Sequence, residues 1–431
     1  MVHRLNSNDR DFAQHLEKLL GKSRDTGDNV AGDVADMIKA VRANGFSAVA
    51  DYTRRFDQVE VTDATVKISA DEIDDAFKSV EADVLDALKF AADRIRLYHE
   101  KQLPENLLYT DEAGVQLGWR WTAVDAAGLY APGGRAAYPS SVLMNAIPAK
   151  VAGVGRLAMV TPTPNGVINE AVFAAAKIAG VDEIYRIGGA QAIAALSFGA
   201  GPIAPVDVIA GPGNAYVAEA KRQVFGHVGV DSVAGPSEIL VVADDQNNPE
   251  WIAADLLSQA EHDPSSQSIL ITDDNAFANA VEKAAEAQIE NSPRKEITKA
   301  AWDENSAIIV VAALKQAPLL VNKIAPEHLE LAVDEPQTML KEIRHAGAIF
   351  LGRHTPEAVG DYVAGPDHVL PTGGGARFSS GLSVLDFMKR SSIIGCDAAA
   401  LQNIGPAAAR LADAEGLPAH AKSIRVRFKT S

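Results

Sequence analysis

Gln259 and His262 stand three residues apart in the segment Ser258-Gln259-Ala260-Glu261-His262-Asp263. At that spacing both side chains lie on one face of a helix and can reach a single metal ion. The helix is well signalled. Asn248 is a capping residue, Pro249 fits the first turn, and Trp251, Ile252, Leu256 and Leu257 recur at helical spacing. Glu327 and His328 are adjacent in Ala325-Pro326-Glu327-His328-Leu329-Glu330, which places two proton-transfer groups at one point of the chain. They serve one substrate only if the backbone turns there, which Pro326 makes credible; otherwise they read as a solvated Glu and a capping His. Asp361 lies in Gly360-Asp361-Tyr362-Val363-Ala364-Gly365-Pro366-Asp367-His368, a stretch that predicts a loop of fixed shape carrying a hard oxygen ligand. His420 ends Glu415-Gly416-Leu417-Pro418-Ala419-His420 near the C-terminus. Gln259, His262, Asp361 and His420 together offer two nitrogens and two oxygens, which suits zinc or a similar divalent ion in an open site. Spacing does not show that such distant segments meet.

The elements that would position these residues alternate along the chain. Short β runs at 128–131, 157–161, 183–187 and 206–210 are separated by helical patterns at 140–153, 168–179, 189–199 and 214–225. A second series has strands at 239–243, 268–272, 307–311 and 348–351, with helices at 249–262, 275–290, 314–324 and 336–346. This alternation predicts right-handed βαβ units and parallel sheets. The expected fold is α/β: two doubly wound, incomplete Rossmann-like parallel-sheet domains plus small N-terminal and C-terminal segments. Residues 1–24 read as a polar arm, and 25–103 as mostly helical, with Val84, Leu85, Leu88, Ala91, Ala92, Ile95 and Tyr98 on one face. Residues 106–126 read as two strands around a turn at 111–114. The expected domains are 25–127 with 237–381, carrying the metal and catalytic residues; 128–236, for a nucleotide; and a small unit at 382–431.

Parallel α/β domains invite a dinucleotide, yet no G-x-G-x-x-G joins a strand to a helix. Glycine-rich turns do follow predicted strands, at Ala131–Gly134, Gly188–Gln191 and Gly211–Asn214. Glycine lets backbone N–H groups approach an anion, and the next helix adds its dipole. Strand-to-helix turns use glycine in any case, so the turns alone point only weakly to NAD.

Composition narrows the classes. A chain of 431 residues exceeds one core, and the formal charge of -17 with no basic stripe argues against nucleic acid. The lone Cys396 excludes an internal disulfide and a cysteine-rich zinc cluster. A polar start without a signal-peptide core, and no apolar run long enough to span a bilayer, predict a cytoplasmic protein with no membrane partner.

Taken in order, the motifs resemble the histidinol dehydrogenase family from roughly residue 25 to 425. The segments that carry the resemblance are Gly128–Gly134, Tyr138–Asn145, Gly188–Ala192, Gly211–Val217, Ala234–Glu238, Gln259–Asp263, Ala325–Glu330, His368–Thr372, Arg377–Leu382 and Glu415–His420. The resemblance implies oxidation of L-histidinol to L-histidine through an aldehyde, with two NAD per product and one zinc per site. It implies zinc ligands Gln259, His262, Asp361 and His420, and NAD contacts at Tyr130, Gln191 and Asn214. Substrate contacts fall on Ser237, Gln259, His262, His328, Asp361, Glu415 and His420, with Glu327 and His328 catalytic. It further implies a homodimer with exchanged small domains, so that Glu415 and His420 enter the neighbour's site.

Two stretches depart from the family pattern. Asp367 stands where Asn is common, and is expected to raise the pKa of His368 or to attract a cationic substrate; Asp231-Ser232-Val233 is less apolar than usual. Competing readings are a related dehydrogenase for another small alcohol such as a sulfonated diol, a zinc hydrolase in which Glu327 activates water, and a non-catalytic binding protein. Glu415 and His420 favour a cationic amino-alcohol bearing an imidazole over the first. The glycine turns with Tyr130, Gln191 and Asn214 oppose the second, and the Glu327-His328 pair opposes the third.

Overall fold

The computed structural model describes residues 2–24, 30–133, 138–232 and 235–428. Its strands, in chain order, are β1 (His3–Asn6), β2 (Leu107–Thr110), β3 (Gln116–Ala123), β4 (Ala126–Tyr130), β5 (Arg156–Val160), β6 (Glu183–Tyr185) and β7 (Val208–Ala210). They continue as β8 (Gly229–Val230), β9 (Glu238–Ala243), β10 (Gln267–Thr272), β11 (Ala307–Val310), β12 (His328–Ala332), β13 (Ala348–Leu351) and β14 (Met388–Gly395).

Two all-parallel sheets form the frame. One has the order β6-β5-β4-β7-β8, the other β1-β11-β10-β9-β12-β13. Their central strands are buried apolar runs because helices cover both faces, as parallel sheets require. Leu143, Met159 and Phe173 fill one face of the five-stranded sheet, and Ile193, Leu196 and Val217 the other. Ile252, Leu256 and Val281 cover one face of the six-stranded sheet, and Leu16, Val321 and Leu331 the other. A third sheet, β14-β3-β2, is antiparallel.

Several expectations change. The polar arm is structural: β1 pairs in parallel with β11, and Leu16, Leu19 and Leu20 of the helix Phe12–Arg24 are buried. Its charged residues face outward, which hid the apolar spacing within that helix. The helices of 31–100, expected to group with 237–381, pack instead on the five-stranded sheet. Val34, Val41 and Val49 join Ile193 there, and Leu88 and Ile95 join Leu143. β12 escaped the sequence reading although it lies between β9 and β13, because Glu330 interrupts its apolar pattern. The helix Lys295–Asn305 was also missed. The helix expected at 336–346 covers only Pro336–Leu340. The loop expected at Asp361 is a short helix, Glu357–Tyr362. Gly134 of the first glycine turn, Val233, and Ala234 of the Ala234–Glu238 motif lie outside the described residues.

The segment 382–431 supplies β14, which pairs with β3, and two helices, Ala398–Ala414 and Pro418–Arg425. Leu411 and Leu417 are exposed on that tail. No described helix is long and apolar enough to cross a membrane.

Candidate active site

Two sets of residues carry the candidate chemistry. The first set lies at the carboxyl edge of the five-stranded sheet, where β4 turns to one face and β7 to the other. Open α/β sheets place ligands at such switch points. Tyr130 ends β4, and its phenol oxygen accepts a hydrogen bond from the Gly189 N–H at 3.1 Å. Burial pushes the Tyr130 pKa up to about 12, so the phenol stays neutral. Gly189 has φ +67°, and a Cβ there would meet Gln191 Oε1 at 2.7 Å. Gln191 is buried and its Oε1 has no hydrogen-bond partner. Gly211 has φ +115°, and a Cβ there would lie 2.2 Å from the Tyr130 carbonyl oxygen, so only glycine fits. Asn214 caps the helix Ala215–Val224, its Oδ1 accepting from the N–H groups of Tyr216 and Val217. Tyr130, Gln191 and Asn214 therefore sit on turns that meet at one sheet edge.

The second set gathers at the amino edge of the six-stranded sheet, opposite to the usual ligand edge. β9 and β12 are paired, with His328 opposite Ile239. Ala325 takes a left-handed φ of +55°, which supplies a turn two residues before Glu327. Both residues grip the backbone of Glu238. Glu327 Oε2 accepts from the Glu238 N–H at 2.8 Å, and His328 Nδ1 donates to the Glu238 carbonyl at 3.0 Å. A carbonyl only accepts, so the His328 proton is on Nδ1 and Nε2 keeps its lone pair. That Nε2 is buried and unpartnered, 3.6 Å from Glu357 Oε1 and 3.9 Å from Asp361 Oδ1. Burial lowers the His328 pKa, which keeps the ring neutral and basic at Nε2. Burial raises the Glu327 pKa well above the carboxylate range.

Gln259 closes the helix Pro249–Ala260, and His262 follows it, its backbone N–H donating to the Gln259 carbonyl at 3.1 Å. His262 Nδ1 lies 3.4 Å from Ser237 Oγ. Burial lowers the His262 pKa, and the Glu357 charge acts on His262 as it does on His328. Both amide atoms of Gln259 are buried without a partner. Burial raises the Asp361 pKa to about 8, with the Glu357 charge adding to it. His368 Nδ1 donates to the Asp361 carbonyl at 2.9 Å, and its Nε2 lies 3.0 Å from Ser141 Oγ, so the five-stranded unit braces this wall.

The sequence reading missed Glu357, although it stands one turn before Asp361 and the spacing was there to find. Its Oε1 is unpartnered, and its backbone N–H donates to the buried Glu330 Oε1 at 2.6 Å. Within the described residues, His328, Glu357 and Asp361 bring one ligand atom each to within 4.8 Å of one another. Glu415 and His420 are exposed on the C-terminal helices of the single chain. The expected rise in the His368 pKa is not found, and Asp367 is not among the groups that act on it. Burial lowers His368 to about 4, while Asp367, itself buried and raised, has its Oδ2 4.0 Å from His99 Nε2.

A cluster of neutral imidazoles, an amide without partners and several carboxylates that favour the proton is one that a divalent cation would satisfy. The group whose ligand atoms converge is His328, Glu357 and Asp361, while Gln259 and His262 add an unpartnered amide and an imidazole, donor types that suit zinc.

Comparison with known proteins agrees with these observations. The family model for histidinol dehydrogenase matches residues 20–428. Histidinol dehydrogenase of Rhodospirillum rubrum is 60% identical over 429 residues, covering 99% of each chain, and that of Caulobacter vibrioides is 57% identical, covering 97% of each. The crystal structure of histidinol dehydrogenase from Elizabethkingia anophelis superposes with a TM-score of 0.94 at 35% identity, covering 99% of this chain and 98% of that one. With near-complete coverage in sequence and in fold, the chain belongs to the histidinol dehydrogenase family.

Proposed function

We propose that this site carries a zinc-dependent, NAD-linked, four-electron oxidation of L-histidinol to L-histidine via L-histidinal. The observation that carries the reading is the buried, unpartnered Nε2 of His328, with its proton fixed on the opposite nitrogen, 3.6 Å from the orphaned Oε1 of Glu357. Gln259, His262 and Asp361 would hold the metal, joined by His420 from a second copy of the chain in a homodimer with exchanged tails. Bound there, zinc would supply a Lewis acid that helps position the substrate, and two NAD molecules would each supply an acceptor for one hydride.

The side chains handle the protons. His328 Nε2 takes the hydroxyl proton as the carbinol hydride departs. The aldehyde must then gain water before a second hydride can leave. With a divalent cation nearby to favour its ionised form, Glu327, anchored through one carboxylate oxygen, would direct its other oxygen to that water and take its proton, while His328 takes the second hydroxyl proton. Ser237 beside His262 orients the substrate, and Glu415 from the second copy meets its cationic end. Tyr130, Gln191 and Asn214 seat the nucleotide. The exposed single cysteine, Cys396, takes no part, and a cytoplasmic setting accords with the lack of any disulfide framework. A dehydrogenase acting on a sulfonated diol is not favoured, since the relatives above are named for histidinol.

The test supplies L-histidinol, NAD and zinc, and counts NADH per histidine formed. Two NADH per histidine supports the reading. A single NADH with aldehyde accumulating, or no NADH at all, overturns it.

A further inference from the structure

Beneath the Gly211–Asn214 turn lies a buried ion pair to which the mechanism gives no role. Lys221 comes from the helix Ala215–Val224 and Asp231 from the residue after β8. Both side chains are only 3% exposed, and their charged ends touch. Each also binds Gly211. The Gly211 N–H donates to Asp231 Oδ2 at 2.8 Å, and the Gly211 carbonyl accepts from Lys221 Nζ at 3.0 Å. One residue thus has both backbone polar groups held by opposite charges.

Stability alone does not call for this arrangement. A buried ion pair costs desolvation, and well-packed apolar replacements are often neutral or stabilising. The pair does fix the peptide planes on both sides of Gly211, a residue already pinned by its contact with the Tyr130 carbonyl. Two residues on, a Cβ at Gly213 would meet the Val217 side chain at 2.3 Å, and Asn214 opens the helix. The orientation of Gly211 is therefore set by two charge-assisted hydrogen bonds, and side chains are sterically barred at both glycines of the turn.

We infer that Lys221 and Asp231 are positioning residues that hold the Gly211–Asn214 turn in the orientation that binds the dinucleotide. The inference rests on the proposed use of NAD. Lys221→Met is expected to raise the KM for NAD and the dissociation constant for NADH together, by about 10-fold. The KM for L-histidinol and kcat at saturating NAD stay near those of the unaltered enzyme. Asp231→Asn keeps an acceptor for the Gly211 N–H and is expected to lose less NADH affinity than Asp231→Ala. The double variant Lys221→Met/Asp231→Leu removes both charges together, avoids a stranded one, and is expected to fold while retaining the defect. NADH binding is followed by its fluorescence and folding by circular dichroism. A folded double variant that binds NADH as tightly as the unaltered chain overturns the inference. Failure of the unaltered, zinc-loaded chain to bind NADH overturns the nucleotide reading, and the inference with it.

Discussion

Glu327→Gln separates the two oxidations. The substitution preserves volume, and the amide oxygen can still accept from the Glu238 N–H that Glu327 Oε2 holds at 2.8 Å. Glu327 is buried and the amide keeps the shape of the carboxyl and its bond to the backbone, so stability should change by no more than about 1 kcal/mol. What disappears is the ability to take a proton from water. A positioned acid–base group contributes about 10²–10⁴-fold, or roughly 3–5 kcal/mol of barrier. Only the second oxidation consumes water, so that loss falls on the aldehyde. His328 keeps its Nδ1–H bond to the Glu238 carbonyl, so the first hydride transfer should slow by less than about 10-fold. Stopped-flow measurement of NADH, started in turn from L-histidinol and from L-histidinal, reads the two steps separately. The variant should give one rapid NADH per site from the alcohol and then stall. Equal slowing from both substrates would refute the division of labour between Glu327 and His328.

Other predictions follow from the same geometry. Tyr130→Phe leaves the Gly189 N–H without its 3.1 Å acceptor, and should raise the KM for NAD about 10-fold while sparing the KM for L-histidinol. Because the Tyr130 pKa stands near 12, that ratio should be flat from about pH 6 to pH 9 in steady-state assays. Asp367 is buried with its folded pKa raised, so its stability contribution is complete below about pH 3.8 and is lost as pH climbs through the raised value. Asp367→Asn should therefore stabilise the protein more at pH 8 than at pH 4, seen in denaturant unfolding; an equal effect at both would contradict it. Chains carrying His328→Gln and chains carrying His420→Gln should each be inactive. Co-expressed, they should regain about a quarter of full activity, because exchange leaves one intact site in each mixed dimer. No recovery would place His420 in its own chain's site.

Local sequence determined much of this protein. Buried strands flanked by helices read directly from apolar runs and periodicity, and β4, β9 and β10 lie close to where that pattern puts them. Asn248 and Pro249 announced the helix that carries Gln259, and the glycine turns marked the carboxyl edge of the five-stranded sheet. These are properties of near neighbours, set by capping, turn conformation and side-chain spacing. Tertiary structure decided the rest. β1 and β12 are strands because a sheet edge and two flanking strands complete their hydrogen bonds, not because of their own pattern. The helices of 31–100 settled on the five-stranded sheet because apolar faces pair by shape, which spacing alone does not encode. Glu357 entered the site only when the fold brought it to 3.6 Å from His328, and the proton position on His328 depends on a carbonyl 90 residues away. Sequence names the chemical groups, but their protonation depends on which long-range neighbours remove them from water.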